Sequence, residues 1–258
     1  DETQESWKPL LNTIPAFRGS SECFAEGNRS IYIWKSAAHQ PIKFSPHQLE
    51  IPLISAKMEH REKERTQYEF CASVHTEYSL LDGSNKIKEY VARVKELGMT
   101  AAAITDHGVM YGVIDFYRAA RAAGINPVLG CEVYVAPGSR FDKTAVGRDE
   151  DRYYHLVLLA ENNTGYANLM KIVSRAFTEG YYYKPRVDYE LLETYHEGII
   201  ALSACLAGEV QRNLARGMYE EGKKAALHYE QIFGKGNFFL ELQDHGIPEQ
   251  RTVNQQLM

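Results

Sequence analysis

The sequence has few cysteines, no excess of positive charge and no long apolar run. Its four cysteines, among 258 residues, are widely spaced and form no Cys-x-x-Cys pair, which argues against a disulfide scaffold and a structural zinc site. The formal net charge is −5, so the chain lacks the bulk positive charge that grips a phosphate backbone. No segment approaches the roughly 20 apolar residues of a membrane helix, and the first residues show no signal pattern. We therefore expect a cytoplasmic protein without membrane association.

Two parts of the chain differ in character. Residues 1–69 contain both tryptophans and five of the nine prolines, without sustained apolar periodicity. We expect an N-terminal arm or linker there, with a small separate module as the alternative. Residues 70–258 have a regular pattern and are predicted to form the main domain.

In residues 70–258, short apolar strands alternate with amphipathic helices. Helices are predicted over 85–97, with Ser84 as N-cap, and over 113–123, 164–178 and 219–233. Strands are predicted near residue 70 and over 100–105, 127–135, 155–160, 198–203 and 238–243. This alternation indicates an α/β protein with a mainly parallel sheet, either open or closed into a barrel. The chain shows no glycine-rich dinucleotide or phosphate-binding loop, so those chemistries are not expected.

Side chains that bind metals fall close to the strand ends. They are His75 and Asp82 around the first strand, Asp106 and His107 after the second, Glu132 in the third, His155 at the start of the fourth, Cys205 after the fifth, and Asp244 and His245 after the sixth. Because the carboxyl ends of parallel strands converge, most of these side chains are expected to meet in one pocket. That rule does not place His155, which opens its strand.

Imidazole, carboxylate and thiolate together suit zinc, manganese or iron. Two ions about 4 Å apart favour phosphoester hydrolysis, because one activates water and both stabilise phosphoryl charge. Simpler interpretations stay open: Asp106 as a turn cap, Cys205 as a small buried hydrophobe, and Glu132 paired with a buried cation. The run Tyr181-Tyr-Tyr-Lys-Pro-Arg186 fits either an aromatic and basic nucleic-acid surface or a packed loop.

Seven stretches resemble the polymerase and histidinol phosphatase (PHP) domains that open the α subunits of bacterial DNA polymerase III. They are residues 74–83, 103–108, 129–134, 155–159, 179–186, 201–208 and 241–246, in the family's order and at similar spacing. The resemblance implies a distorted (β/α)7 barrel with up to three divalent metal ions. It implies metal ligands at His75, Asp82, His107, Glu132, His155 and Cys205. The family motif does not use Asp244 or His245.

The sequence departs from the family pattern at two places. Ser73 stands where the family has the first histidine of a His-x-His motif, and the Asp-x-His motif of the seventh strand would lie beyond Met258. The barrel is therefore expected to be truncated before its last strand, with an open edge, and to hold fewer ions or hold them weakly.

The resemblance implies a role in bacterial DNA replication, as part of a DNA-directed DNA polymerase, which is a nucleotidyltransferase. Expected partners are DNA and other replicase subunits, including the proofreading exonuclease subunit. The carboxylates of the polymerase palm are not in these residues, so this chain is expected to be at most a metal-dependent phosphoesterase or 3′–5′ exonuclease, or to be structural. The alternatives are a free-standing PHP phosphoesterase and a metal-free interaction module.

Overall fold

The computed structural model describes residues 30–35, 70–144 and 152–258, which form a mixed α/β fold. The strands are β1 (Ser30–Lys35), β2 (Phe70–Cys71), β3 (Ala101–Ile104), β4 (Asn126–Val135), β5 (Tyr154–Ala160), β6 (Arg186–Val187), β7 (Ile199–Leu202) and β8 (Phe238–Asp244). The helices of the described residues are α1 (Ile87–Glu96), α2 (Val113–Ala123), α3 (Asn163–Thr178), α4 (Tyr189–Tyr195), α5 (Glu209–Ala215), α6 (Tyr219–Phe233) and α7 (Pro248–Leu257). None of these helices is long and apolar enough to cross a bilayer.

The strands pair in the order β1-β8-β7-β5-β4-β3-β2, with β6 added beside β4, and the sheet curls into a half-barrel. Strands β2, β3 and β4 are mutually parallel, as are β7 and β8. The prediction of a mainly parallel sheet fails at β5, which runs antiparallel to both β4 and β7. The described residues between β4 and β5 contain no crossover helix, which a parallel return would require. The amino end of β5 therefore lies at the edge where its neighbours have their carboxyl ends.

Strand β1 is the described part of the predicted N-terminal arm. It pairs antiparallel with β8, from Ser30 opposite Asp244 to Lys35 opposite Phe239. The edge that was predicted to be open is therefore covered in the described chain. The remainder of residues 1–69 lies outside the described residues, so the arm itself stays a prediction.

The helix termini follow local sequence with one exception. Helix α2 spans the predicted residues and ends at Gly124, whose φ of 77° is the left-handed conformation of a helix stop. Helix α1 begins at Ile87 with Lys86 at the N-cap position, where it makes no side-chain capping bond, so the prediction of Ser84 as N-cap is wrong. The reason lies in Asn85, whose side chain donates a hydrogen bond to the backbone oxygen of His75 at 2.9 Å. That bond holds the segment in the loop before the helix.

Side chains alternate between the two faces of the sheet, and both the outer face and the inner face are packed with apolar residues. The outer face of the sheet packs against α3, α5 and α6 through a large apolar cluster. The inner face carries a smaller set of buried apolar side chains, namely Ala72, Ala103, Val128, Val157, Leu159, Leu202 and Ala204. Because residues two apart share a face, Glu132 and His155 continue this inner layer at the edge of the sheet. The fold thus places the polar side chains of Glu132 and His155 beside a buried apolar layer.

Candidate metal centre

Glu132 is the centre of the polar layer. Its side chain lies on β4 and is buried, with 2% of the residue exposed. Glu132 Oε1 lies 2.6 Å from His107 Nδ1 and 2.9 Å from His155 Nδ1, and Oε2 lies 3.8 Å from His75 Nε2. An isolated carboxylate in this position would be costly to bury, and in the described structure the imidazoles of His107 and His155, both at hydrogen-bond distance, compensate for it.

His75 is held in one tautomer. Its Nδ1 donates to the backbone oxygen of Thr105 at 2.8 Å, which leaves the lone pair of Nε2 directed to the Glu132 side. Its ring stacks on that of His107, with centroids 3.8 Å apart. A histidine fixed in this way is prepared to bind a cation through Nε2.

Asp106 anchors the loop that carries His75. Its Oδ1 accepts from the backbone N–H of Thr76 at 2.6 Å and from Ser79 Oγ at 2.7 Å, and its Oδ2 accepts from Thr76 Oγ1 at 2.8 Å. The residue is 1% exposed. Both carboxylate oxygens are thus occupied by the loop, so the turn-cap interpretation of Asp106 is the one that the geometry favours.

Cys205 lies on the other side of Glu132. Its Sγ is 3.4 Å from His155 Nδ1, and it follows Ala204, which has a φ of 63°. The antiparallel direction of β5 explains why His155 reaches this position from the start of its strand. Burial, together with the charge of Glu132, raises the pKa of the Cys205 thiol to about 12. Cys205 is therefore a neutral thiol at neutral pH unless a cation stabilises its thiolate.

The charges of the site are coupled through Glu132. Burial raises the pKa of Glu132, but hydrogen bonds from His107 and His155 and the charges of the histidines outweigh it, so the net pKa is strongly lowered. Burial lowers the pKa of His107, yet the hydrogen bond and charge of Glu132 and the charge of Asp82 raise it overall. The pKa of His75 is lowered, chiefly by burial. The site therefore combines the anionic Glu132 carboxylate with two imidazoles, of which His107 has a raised pKa and His75 a lowered pKa.

Two groups of ligand atoms result, and Glu132 belongs to both. One comprises His75, His107 and Glu132, and the other Glu132, His155 and Cys205, with ligand atoms within 4.8 Å of one another in each group. Imidazole nitrogen, carboxylate oxygen and thiolate sulfur suit zinc and other first-row divalent ions. The donor set therefore fits divalent metal ions, which either group would hold, and Glu132 is common to both groups.

The other candidates of the sequence lie outside these groups. Asp82 is on the solvent side, with 55% of its side chain exposed, and contacts the site through a 3.0 Å hydrogen bond with His107 Nε2. Asp244 caps Gly246, and the His245 ring hydrogen-bonds to Gln250. Ser73 is buried, and its Oγ accepts from Thr105 Oγ1 at 3.4 Å, so its hydroxyl is engaged away from the ligands.

The Tyr181–Arg186 segment lies beside the centre. Tyr183 is 60% exposed and has a φ of 62°, and the Arg152 guanidinium lies 4.2 Å from its ring centroid. Lys184 Nζ lies 5.3 Å from the ring of Tyr134, which in turn contacts the His155 ring edge-on at 5.3 Å. The exposed ring of Tyr183 and the partly buried cationic side chains of Arg152 and Lys184 thus continue outward from a candidate ligand.

Glu241 is a buried carboxylate that the sequence analysis did not single out. It is buried on β8, with 1% of the residue exposed. The available signal was a carboxylate within the apolar strand Phe238-Phe-Leu-Glu-Leu242, since such a residue needs a partner.

Comparisons with known proteins agree with the sequence motifs. A family profile described as PHP domain matches residues 72–245. The DNA polymerase III subunit alpha of Treponema pallidum is 50% identical over 182 residues, which are 70% of this chain and 15% of that protein. The corresponding protein of Deinococcus radiodurans is 47% identical over 186 residues, covering 70% of this chain and 14% of that protein. This chain therefore spans about 15% of the length of the curated relatives it matches.

A solved amidohydrolase structure from Chromobacterium violaceum aligns with 73% of this chain and 97% of that chain. Its TM-score is 0.37 and its identity 14%, which is too distant to support an inference about function.

Proposed function

This chain belongs to the PHP domain family, and from that premise we propose that it is the PHP domain of a DNA polymerase III α subunit that binds divalent metal ions and hydrolyses phosphodiesters. The observation that carries the proposal is Glu132, shared by a group with His75 and His107 and a group with His155 and Cys205. Two-metal phosphoester hydrolysis needs two ions about 4 Å apart, and ligand sets that share one carboxylate would keep their ions close together.

Bound metal would supply Lewis acidity and an activated water at neutral pH. The chain's own residues do the positioning. Glu132 holds the His107 and His155 rings through its hydrogen bonds, and the Thr105 carbonyl fixes the tautomer of His75. Asp82 is solvent-exposed at the edge of the site, where its hydrogen bond with Nε2 of His107 maintains the orientation of that ring. We propose all six residues of the predicted set as ligands, with Asp82 joining through a displacement of its bond to His107.

The aromatic and basic segment favours a nucleic-acid end over a small phosphate as substrate. Tyr183 is exposed while the Arg152 guanidinium lies against its ring, so a base stacked on the ring would have a cation close by. Lys184 lies along the path from Tyr183 to His155 and would pair with a backbone phosphate. This local surface compensates for the overall acidity of the chain.

Within the parent protein, this domain would work beside a polymerase module that extends DNA. We propose residues 70–258 as the PHP domain and residues 1–69 as an arm, in a cytoplasmic bacterial replicase whose partners are DNA, other replicase subunits and the proofreading exonuclease subunit. The replacement of one ligand histidine by Ser73 argues for fewer than three ions and reduced activity. The alternative is a free-standing metal-dependent PHP phosphoesterase. The segment that includes Lys184 argues against this alternative, because the segment provides contacts that a small substrate does not need.

The test is elemental analysis of the purified 258-residue chain after incubation with zinc or manganese and removal of free ions. Wild type is expected to retain stoichiometric metal, and both His107→Ala and Glu132→Ala are expected to lose it. His196→Ala is the matched control, because His196 is exposed and its ring nitrogen hydrogen-bonds to the Glu193 backbone oxygen, outside both groups of candidate ligands. Absence of metal in wild type would refute the metal-binding function and leave a structural domain.

Substrate class is tested with the metal-loaded chain on a labelled single-stranded oligodeoxynucleotide and on p-nitrophenyl phosphate. The proposal expects metal-dependent shortening of the oligonucleotide from its 3′ end, weakened by Tyr183→Ala at unchanged metal content. Hydrolysis of p-nitrophenyl phosphate alone would favour the free-standing phosphoesterase.

A further inference from the structure

The chain turns back on itself over residues 180–186, which we call the tyrosine loop. Near its tip, the backbone N–H of Tyr182 donates to the backbone oxygen of Lys184 at 3.0 Å. Tyr183 lies between them with a φ of 62°, a left-handed conformation that residues with a side chain rarely adopt. Its ring is exposed to solvent. The tyrosine loop therefore presents an aromatic ring from a backbone conformation that needs support.

Arg186 lies at the base of the tyrosine loop, with only 4% of the residue exposed. Its Nε donates to the backbone oxygen of Gly180 at 3.2 Å, and its backbone N–H donates to the same oxygen at 3.3 Å. Its Nη2 donates to the backbone oxygens of Asp142 at 2.6 Å and Arg140 at 3.4 Å. The guanidinium thus joins the two ends of the tyrosine loop to each other and to the 140–142 backbone.

The buried position of this guanidinium calls for an explanation. In the described structure its hydrogen bonds go to neutral carbonyl oxygens and not to a carboxylate. A cation is costly to bury, and carbonyl dipoles compensate for its lost hydration less fully than a paired anion would. Arg186 also does not face solvent, so it cannot be one of the surface cations that contact a phosphate backbone. Its contribution must pass through the residues that it holds.

Tyr182 connects Arg186 to the tip of the tyrosine loop. The Cζ atom of Arg186 lies 5.0 Å from the centroid of the Tyr182 ring, within the range of a cation–π contact. The Tyr182 ring in turn meets the Tyr183 ring edge to face, with centroids 4.7 Å apart. The buried guanidinium therefore supports one ring, and that ring supports the exposed one.

The tyrosine loop is also fixed relative to the candidate metal centre. Arg186 pairs with Tyr134 in the β4–β6 ladder, and the Tyr134 ring contacts that of His155. Pro185 packs on Gly108, where an added Cβ would come within 3.0 Å of Pro185 Cγ. A rigid tyrosine loop therefore holds its exposed ring at a constant position beside the centre.

We propose that Arg186 is a positioning residue, which holds the tyrosine loop through backbone oxygens and the Tyr182 ring so that the Tyr183 ring is oriented to stack on a base of single-stranded DNA. The inference rests on the proposed function, in which Tyr183 contacts a nucleic-acid end. It adds a buried residue that does not touch the DNA and acts through Tyr182 and Tyr183.

The experiment measures binding of the full chain to a fluorescein-labelled single-stranded oligodeoxynucleotide by fluorescence anisotropy, with EDTA present to prevent cleavage. Arg186→Met is expected to weaken binding about tenfold, since stacking of one base on an aromatic ring contributes on this order. In the Tyr183→Ala background, the same substitution is expected to change the Kd by less than about twofold, because its effect passes through the Tyr183 ring. Hydrogen exchange of the tyrosine loop is expected to be faster in Arg186→Met, while that of β5 stays unchanged.

Arg118→Met is the matched control, because it removes an exposed guanidinium from α2 and is expected to leave the Kd within about twofold of wild type. Equal losses from Arg186→Met in both backgrounds would indicate a merely structural role and would overturn the proposal. Wild-type binding or wild-type loop exchange in Arg186→Met would overturn it too. If Arg186→Met does not fold, Tyr182→Ala replaces it with the same expectations, since it removes the ring between Arg186 and Tyr183.

The outcomes separate this inference from the proposed function on which it rests. Binding by wild type that Arg186→Met leaves intact would refute the role of Arg186 and keep the nucleic-acid surface. Failure of wild type to bind the oligonucleotide would instead overturn the nucleic-acid part of the proposed function, together with this inference. Metal retention is measured separately and is independent of both results.

Discussion

Replacing Asp106 by alanine tests how the first ligand loop is attached to the sheet. The substitution removes the acceptor of three buried hydrogen bonds, two from Thr76 and one from Ser79. Each buried donor left without a partner costs about 1–3 kcal/mol, so Asp106→Ala is expected to lower the free energy of unfolding by at least about 3 kcal/mol. For a chain of this size, that corresponds to a fall in melting temperature of at least about 6 °C.

The assay is thermal and urea unfolding of the metal-free chain. Asp115→Ala is the matched control, since Asp115 is exposed and accepts one long hydrogen bond, 3.4 Å from Tyr78 Oη. The control is expected to change the free energy of unfolding by less than about 0.5 kcal/mol. If the two variants melted within a few degrees of each other, the hydrogen bonds of Asp106 would not be what holds the loop. Because the loop carries His75, Asp106→Ala should also weaken metal binding.

Three further predictions concern other elements. Burial raises the pKa of Glu241 from 4.5 to about 7, so the metal-free wild type should lose about 3 kcal/mol of stability as pH rises from 4.5 to 7, whereas Glu241→Gln should not. If the difference in melting temperature between wild type and Glu241→Gln stayed constant over this pH range, the raised pKa of Glu241 would be contradicted. Gly165→Ala places a Cβ onto a neighbouring backbone carbonyl and should cost about 2 kcal/mol or more in urea unfolding, whereas Gly138→Ala has open space and should be neutral. Arg140→Met removes the partner of buried Asp188, 2.7 Å away, and should cost about 3–5 kcal/mol, detectable by calorimetry. A loss below about 1 kcal/mol would show that solvent already compensates Asp188.

The longer elements could be predicted because their local signals agree. Helices α2 and α6 begin and end as predicted, since an apolar period and a glycine stop coincide in each. Helices α4 and α5 were missed because seven residues are too few to establish a period. The cap of α4 was nevertheless present in the sequence as Asp188, whose side chain accepts from the Leu191 backbone N–H.

The site could be predicted in residue type but not in geometry. His107 and Glu132 follow from their strands, whereas the position of His155 depends on the reversed direction of β5, which a strand pattern does not encode. The contact between the Glu241 backbone N–H and Ser203 Oγ depends on the pairing of β7 with β8, which brings residues distant in sequence together. Such long-range contacts are set by tertiary packing, so only the structure reveals them.

The antiparallel pairing of β4 with β5 has a consequence for the order of folding. Its six paired positions join neighbouring strands of the sequence, whereas the parallel pairs of the sheet require longer loop closures. We expect this strand pair to form early in folding. Mutations at Leu158 and other paired residues should therefore give high φ-values in folding kinetics. Since Glu132 lies opposite Val157 and Tyr134 opposite His155, the two central side chains would meet before the barrel is complete. The remaining strands would then assemble around a nucleus that already contains two of the candidate metal ligands, Glu132 and His155.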